Sequence, residues 1–309
     1  MLKNINIGLN KLSLLKILSI YVAYSVVISA TIQMYVLPVL FSQLHHGNGL
    51  LYGGDWYYYQ SRATALWLLI ADKGWDFWEL RPRGHGLTGV IAAIYAFLGT
   101  NKPFVLIPFF SLLHGLGALS IFMLMEKIGV KRCNAFYSSI PYLIFPTSLL
   151  WVAQILKDVF TLNASLIILF GLVNLFNVFV IKGLGEQLKN HIFSIIIIQF
   201  GFILIWLVRP YMIEINLLFV ILIFGIMDLK LFFFFLKRKI SVVTLLIMVF
   251  AQFFLLTTVN FLPGNNSVSD ASVKISPITT TKPITQSLEN KEPKTQSLKN
   301  KDNASNSIF

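Results

Sequence analysis

The chain has 309 residues, of which 56% are hydrophobic, and its mean hydropathy is +0.73. This composition excludes an ordinary soluble domain and is typical of a polytopic membrane protein. The net charge of +12 does not indicate nucleic-acid binding, because the basic residues flank apolar runs, where they orient helices in a bilayer. We therefore expect a lipid bilayer, and no nucleic acid, among the partners. The single cysteine, Cys133, excludes an internal disulfide.

Seven apolar runs are long enough to cross the hydrocarbon core, which needs about 20 helical residues. They cover residues 17–41, 104–125, 133–151, 159–181, 192–208, 212–229 and 240–262. An eighth run, residues 86–99, is shorter and is predicted to be re-entrant or interfacial rather than spanning. The sequence thus predicts an all-α, polytopic membrane bundle of about seven or eight transmembrane helices within residues 1–262.

Basic residues predict the orientation of this bundle. If residues 86–99 do not span, twelve lysines and arginines of residues 1–262 fall in cytoplasmic segments and seven in external ones, as the positive-inside rule requires. This predicts a multi-pass protein of the inner or plasma membrane, with a cytoplasmic N-terminus and an external loop 42–103 that contains interfacial helices. Residues 263–309 are polar and lack apolar periodicity, so they are predicted to form a disordered external tail.

An acidic residue stands early in the external loop. Asp55 follows two glycines and precedes a Trp-Tyr-Tyr-Tyr segment. An acid at the bilayer surface can deprotonate an acceptor hydroxyl or hold a divalent ion. The same Gly-Gly-Asp segment is also compatible with a plain solvated turn. The aromatic residues of the loop suit the headgroup belt of a membrane and can also stack on sugar rings. They are Trp56, Tyr57, Tyr58, Tyr59, Trp67, Trp75 and Trp78.

The loop ends in a basic segment, Arg-Pro-Arg-Gly-His-Gly, over residues 81–86. The two guanidinium groups of Arg81 and Arg83 and the imidazole of His85, on a backbone kept open by Gly and Pro, could hold a phosphate or pyrophosphate. Anchoring to lipid headgroups explains the arginines equally well.

Two more charged segments lie at predicted membrane edges. Lys157 and Asp158 begin a helix, where neighbours do not share a face, so each needs another partner, such as an arginine of the loop for Asp158. Arg209 and Tyr211 flank Pro210, which should end the helix 192–208. Arg209 can then point to an external cavity or snorkel to the headgroups.

The order of these segments resembles the membrane glycosyltransferases of the GT-C superfamily, in the branch of protein mannosyltransferases and the aminoarabinose transferase of lipid A. The resemblance covers roughly residues 17–230. It implies a polyprenyl-phosphate sugar as donor and gives Asp55 the position of the catalytic or metal-binding acid. The segment 79–83, Glu-Leu-Arg-Pro-Arg, matches the family's motif near the donor phosphate. It has Arg where the family has His or Lys, and one proline of the usual pair.

The predicted function is therefore transfer of a sugar from a polyprenyl-phosphate carrier to an external glycan, lipid or protein acceptor. Asp55 and Glu79 are the predicted catalytic residues, and Asp55 is the predicted ligand of a divalent cation, Mg²⁺ or Mn²⁺. The predicted substrate and phosphate ligands are Arg81, Arg83, His85, Lys157, Asp158, Arg209 and Tyr211.

Two alternatives stay open at this point. One is a polymerase that joins lipid-linked polysaccharide repeat units. The other is a non-enzymatic flippase or transporter of the surface-polysaccharide pathway. A transporter typically carries polar groups in broken helices at mid-bilayer. The charges identified above lie at membrane edges instead, which favours an enzyme.

Overall fold

The computed structural model describes residues 12–181, 184–236 and 242–260, and nearly all of them are helical. The elements follow in chain order: α1 (Leu14–Thr31), α2 (Leu37–Leu40), β1 (His45–Gly47), β2 (Leu50–Leu51), α3 (Asp55–Lys73), α4 (Gly86–Leu98), α5 (Ile107–Lys127), α6 (Arg132–Ile144), α7 (Pro146–Ala153), α8 (Asp158–Ile181), α9 (Leu184–Val208), α10 (Met212–Leu236) and α11 (Val242–Asn260). A π-helical turn, Ile32–Val36, joins α1 to α2. The two strands form a small antiparallel hairpin.

Within the described residues, four helical segments are long and apolar enough to cross a membrane. They are Leu14–Leu40, Pro103–Lys127, Asp158–Phe176 and Asn190–Val208. Helices α6 and α7 make a fifth crossing if the bent pair counts as one span. The all-α prediction and the multi-pass membrane prediction are confirmed at this level. The full count of seven or eight crossings stays a prediction, and the polar tail 263–309 lies outside the described residues.

The prediction that residues 133–151 form one continuous span is wrong. The segment is divided into α6 and α7, whose axes differ by 61°. Pro146 begins the second helix, and Phe145 before it has extended backbone angles, as expected for a residue that precedes proline. Pro146 has no amide hydrogen to donate to the carbonyl of Tyr142, four residues earlier. The hydroxyl of Ser148 donates to the carbonyls of Tyr142 and Phe145, at 2.7 and 2.8 Å.

Helix α4 is apolar but has only 13 residues, too few for an ordinary crossing. It ends at Gly99, whose φ of 67° is the left-handed conformation common after helices. Its first residue, Gly86, lies so close to the carbonyl oxygen of Leu207 that a Cβ there would collide with backbone. This contact joins the end of the basic segment to the end of α9.

The long helices alternate in direction. Residues 17–21 of α1 pack with residues 118–122 of α5, whereas Ser25 contacts His114, so α1 and α5 are antiparallel. At one end of the bundle, Arg132 bonds Glu126 and the carbonyl of Leu12, each at 2.8 Å. The other end carries the start of α3, the start of α8 and the end of α9. We call it the charged end, defined by Asp55, Lys157, Asp158 and Arg209.

Opposite membrane sides are expected for the charged end and the Arg132 end. Ser61 is an exposed residue of α3. In a Cys133→Ser background, Ser61→Cys should therefore react with an impermeant thiol reagent in intact cells. Lys131→Cys should react only after lysis, because basic residues favour the cytoplasmic side. Labelling of both positions from the same side would contradict the topology, and labelling of Lys131→Cys alone in intact cells would invert it.

Candidate functional site

The backbone before Asp55 is held in a conformation that only glycine adopts readily. Gly53 and Gly54 have φ angles of +70° and +119°, and α3 begins immediately afterwards at Asp55. The indole Nε1 of Trp56 donates to the carbonyl of Leu51 at 2.6 Å, which fixes the first turn of α3 against the hairpin. An acid in the first turn also interacts favourably with the helix dipole. Asp55, which the sequence also allowed to lie in a plain solvated turn, is therefore the first residue of a helix.

Two buried glutamines attach this hairpin to the bundle. The side chain of Gln154, which is 1% exposed, donates to the carbonyl of Gly49 at 2.8 Å and accepts from the amide of Leu51 at 3.2 Å. Gln33, in the π-helical turn, donates to the carbonyl of Ala153 at 2.5 Å. Gln33 also packs against the hairpin, since a Cβ added at Gly49 would collide with its Cγ. The position of the hairpin, and of Asp55 after it, therefore depends on the π-helical turn and on the end of α7 as well as on its own loop.

Two ion pairs bring separate parts of the sequence together at the charged end. The ammonium of Lys157 lies 3.0 Å from the carboxylate of Asp55, and the guanidinium of Arg209 lies 2.8 Å from Asp158. The prediction that Lys157 and Asp158 take different partners is confirmed. The suggested loop arginine for Asp158 is wrong, because α9 ends beside the start of α8 and supplies Arg209 instead.

Aromatic rings surround the Lys157–Asp55 pair. Burial raises the pKa of Tyr59 although nearby Lys157 opposes the shift, so this residue stays a neutral phenol. The ring of His85 lies 5.3 Å from that of Tyr58 and 6.2 Å from that of Tyr59. Burial lowers the pKa of His85, and the positive charges of Arg62 and Lys157 add to this shift while Asp55 opposes it. The imidazole is therefore neutral at pH 7.

Two further arginines rest on aromatic faces near this cluster. The guanidinium of Arg62 lies 5.3 Å from the ring centroid of Tyr58, and that of Arg81 lies 4.9 Å from the centroid of Trp206, one turn before Arg209. We call these neighbouring residues the charged cluster: Asp55, Tyr59, Arg62, His85, Lys157, Asp158 and Arg209.

The remaining predicted site residues lie on the surface around this cluster. Glu79, Arg83 and Tyr211 are exposed, and Arg83 has a φ of +51°. No hydrogen bond or ion pair joins Glu79 or Arg83 to the charged cluster among the described residues. Their catalytic and phosphate-binding roles stay predictions that the geometry does not support as strongly as those of Lys157 and His85.

A divalent cation does not fit the donor groups present. Asp55 is paired with an ammonium, and the neighbouring acid, Asp158, is paired with a guanidinium. Across residues 12–181, 184–236 and 242–260, no three His, Cys, Asp or Glu side chains form a group able to hold a metal ion. Hard divalent ions need several oxygen ligands, and the predicted role of Asp55 as a ligand of Mg²⁺ or Mn²⁺ stays a prediction.

Sequence reasoning missed Tyr59 and Arg62 as members of the cluster. The signal was available in part, because Tyr59 is one helical turn after Asp55 and Arg62 is one turn after Tyr58. The contribution of Gln33 carried no local signal, since its partner Ala153 is 120 residues away.

Comparisons with known proteins leave the family open. No protein-family model matches the chain, no curated protein is significantly similar to it, and no solved structure matches its fold.

The Lys157–Asp55 pair should make a small, pH-limited contribution to stability. Burial alone would lower the pKa of Lys157, but the hydrogen bond to Asp55 and the nearby Tyr59 raise it overall. The contribution should be present at neutral pH and disappear as the pH rises through this elevated pKa.

A double-mutant cycle of Asp55→Asn and Lys157→Met, followed by thermal unfolding in detergent, measures this coupling. Because Asp55 is 55% exposed, we expect about 0.2–1 kcal/mol at pH 7. Zero coupling at pH 7, or equal coupling above pH 11, would contradict the pairing.

Proposed function

We propose that this protein is a membrane glycosyltransferase that moves a sugar from a polyprenyl-phosphate carrier to an external acceptor. The observation that supports it is the convergence of one loop acid, Asp55, with Lys157, His85 and Arg209 at one end of an apolar bundle. A lipid-linked phosphate presents its tail to the hydrocarbon and its charge to the membrane edge, which is where these cations lie. The resemblance in segment order to the GT-C superfamily supports the same class of reaction.

The cations of the cluster suit the leaving phosphate. Lys157 and Arg209 are ammonium and guanidinium groups that can hydrogen-bond phosphate oxygens and stabilise the charge that builds on them in the transition state. Arg209 already has one guanidinium nitrogen committed to Asp158, which holds the group in place for a ligand on its other nitrogens. Arg62 and Arg81 lie near enough to extend the positive surface.

Asp55 is the proposed general base. The acceptor hydroxyl attacks the anomeric carbon of the donor sugar and gives its proton to the Asp55 carboxylate. The bond between the anomeric carbon and the phosphate oxygen breaks, and its electron pair leaves with the polyprenyl phosphate. Attack from the face opposite the leaving group inverts the anomeric configuration.

The resting ion pair gives this mechanism an order. Lys157 and Asp55 form an ion pair at 3.0 Å, so neither the acid nor the proposed phosphate-binding cation is available to a substrate. A donor phosphate competes with Asp55 for Lys157, because a phosphate offers more acceptor oxygens and charge. Donor binding therefore frees Asp55 to receive the acceptor's proton, so the donor should bind before the acceptor.

Asp55→Asn should keep the fold and lower sugar transfer by about 10²–10⁴-fold, the usual contribution of a positioned acid–base group. The control is Asp72→Asn, the same change on an exposed position of the same helix, which should leave transfer near normal. The measurement is radiolabelled sugar transfer in membranes with matched protein levels. Near-normal transfer by Asp55→Asn would rule out the general-base role.

Anion binding should be coupled to proton uptake at His85. A phosphate placed beside His85 counteracts the effects of burial, Arg62 and Lys157, and so raises the pKa of the imidazole. The protonated form then adds an attraction that is present at low pH and lost as the pH rises.

The probe is farnesyl phosphate, a short polyprenyl phosphate, titrated into the detergent-solubilised protein between about pH 5.5 and 8.5. The ratio of wild-type affinity to His85→Gln affinity should fall as the pH rises. Taking the ratio removes the titration of the ligand's own phosphate. A ratio that is constant with pH would show that His85 does not contact the anion.

A further inference from the structure

Arg62 carries a positive charge that forms no ion pair among the described residues. It is an exposed residue of α3, and its guanidinium lies 5.3 Å from the ring centroid of Tyr58, one helical turn earlier. The residues three and four positions away on the same helix are Tyr58, Tyr59, Ala65 and Leu66, and none of them is acidic. The ring of Tyr58 therefore holds this guanidinium in place without neutralising its charge.

Other cations of the charged cluster are paired. Lys157 and Arg209 each have a carboxylate partner, at 3.0 and 2.8 Å. Arg62 differs from them because only an aromatic ring supports it. Solvation by water is sufficient for an isolated surface arginine, so the neighbours of Arg62 decide whether it forms part of a site.

Three rings connect Arg62 to Lys157, and we call them the aromatic wall. The centroids of Tyr58 and Tyr59 lie 5.6 Å apart, and that of His85 lies 5.3 and 6.2 Å from them. Arg62 stacks on Tyr58, whereas Lys157 interacts with the phenol of Tyr59. The aromatic wall thus has a cation at each end, one of them in an ion pair and the other without one.

The imidazole of His85 lies close to both cations. Burial lowers its pKa, and the positive charges of Arg62 and Lys157 lower it further while Asp55 opposes the shift. Both cations are therefore within electrostatic range of the ring. His85 is only partly buried, so a ligand can reach it from outside. An anion in contact with His85 would interact with the positive charges at both ends of the aromatic wall.

We propose that Arg62 and His85 form a second anion-binding subsite beside Lys157, and that the donor carries its sugar on a polyprenyl diphosphate. The phosphate next to the sugar binds Lys157, near Asp55, and the second phosphate binds Arg62 and His85. Stacking on Tyr58 uses a face of the guanidinium, which leaves the N–H groups at its edge free to hydrogen-bond phosphate oxygens in pairs. This inference rests on the proposed function and specifies its carrier.

Charge favours a diphosphate over a single phosphate. A sugar joined to a lipid through one phosphate is a diester with a single negative charge, which Lys157 can balance once the ligand has displaced Asp55. A single phosphate would leave Arg62 without a partner. A diphosphate link adds a second negatively charged phosphate, and Arg62 is a nearby cation without an acidic partner. The charges of a diphosphate therefore match the two ends of the aromatic wall.

Two short ligands that differ by one phosphate test this subsite. Farnesyl diphosphate and farnesyl phosphate are titrated into the full-length protein in detergent, at pH 7 and fixed ionic strength. The wild-type protein should bind the diphosphate more tightly. Arg62→Gln should lower the affinity for farnesyl diphosphate by about 10–100-fold, as expected for loss of a charge-assisted hydrogen bond, and leave that for farnesyl phosphate nearly unchanged. The control is Lys73→Gln, the same loss of charge at the exposed end of the same helix, which should change neither affinity.

The two affinities separate this inference from the proposed function. Equal wild-type affinity for the two ligands would overturn the second subsite and leave a carrier with one phosphate. The same conclusion follows if Arg62→Gln weakens both ligands equally or weakens neither. If the wild-type protein binds neither ligand, the proposed lipid-phosphate carrier is wrong as well. Because Arg62 is exposed, Arg62→Gln should melt at the wild-type temperature, so that a lost affinity is not a lost fold.

Discussion

Two neighbouring residues of opposite charge, Lys157 and Asp158, determine how the charged end is assembled. Adjacent residues at a helix start point in directions about 100° apart, so one charge cannot neutralise the other. Lys157 reaches the start of α3 at Asp55, and Asp158 reaches the end of α9 at Arg209. The single dipeptide thus joins a loop helix and two bundle helices at one point of the membrane edge. Apolar contacts alone are not directional and would not fix this meeting point.

The two ion pairs differ in a way that suits different roles. In the Arg209–Asp158 pair the side chains are 16% and 32% exposed, whereas in the Lys157–Asp55 pair the acid is 55% exposed. Water screens the second pair more strongly, so a ligand can replace it at lower cost. The first pair is the more permanent support, and the second is the pair that the proposed donor phosphate would displace.

The sequence was most informative where one local property decided the structure. Apolar length predicted the helices that contain 104–125, 159–181 and 192–208, and proline predicted the end of α9 before Pro210. Apolar length gave a wrong prediction for residues 133–151, because it favoured one span and Pro146 divides the segment into two helices. The site was predicted as a set of residue types at one face, but its pairings were not. Lys157 and Asp55 are separated by 102 positions of chain, and no local pattern records such a contact.

The division of α6 and α7 changes the depth of the membrane around the charged end. With the 13 residues of α6 upright and the 8 residues of α7 inclined by 61°, the pair rises about 25 Å, less than the roughly 30 Å of a typical hydrocarbon core. Lys157 comes four residues after Ala153, the last residue of the inclined helix, so it lies several ångströms below the level that a straight helix would reach. An apolar stretch shorter than the hydrocarbon core is accommodated by local thinning of the bilayer or by snorkelling of flanking side chains. A headgroup diffusing along the leaflet would therefore meet the cations sideways, from within the plane of the bilayer, without first leaving it.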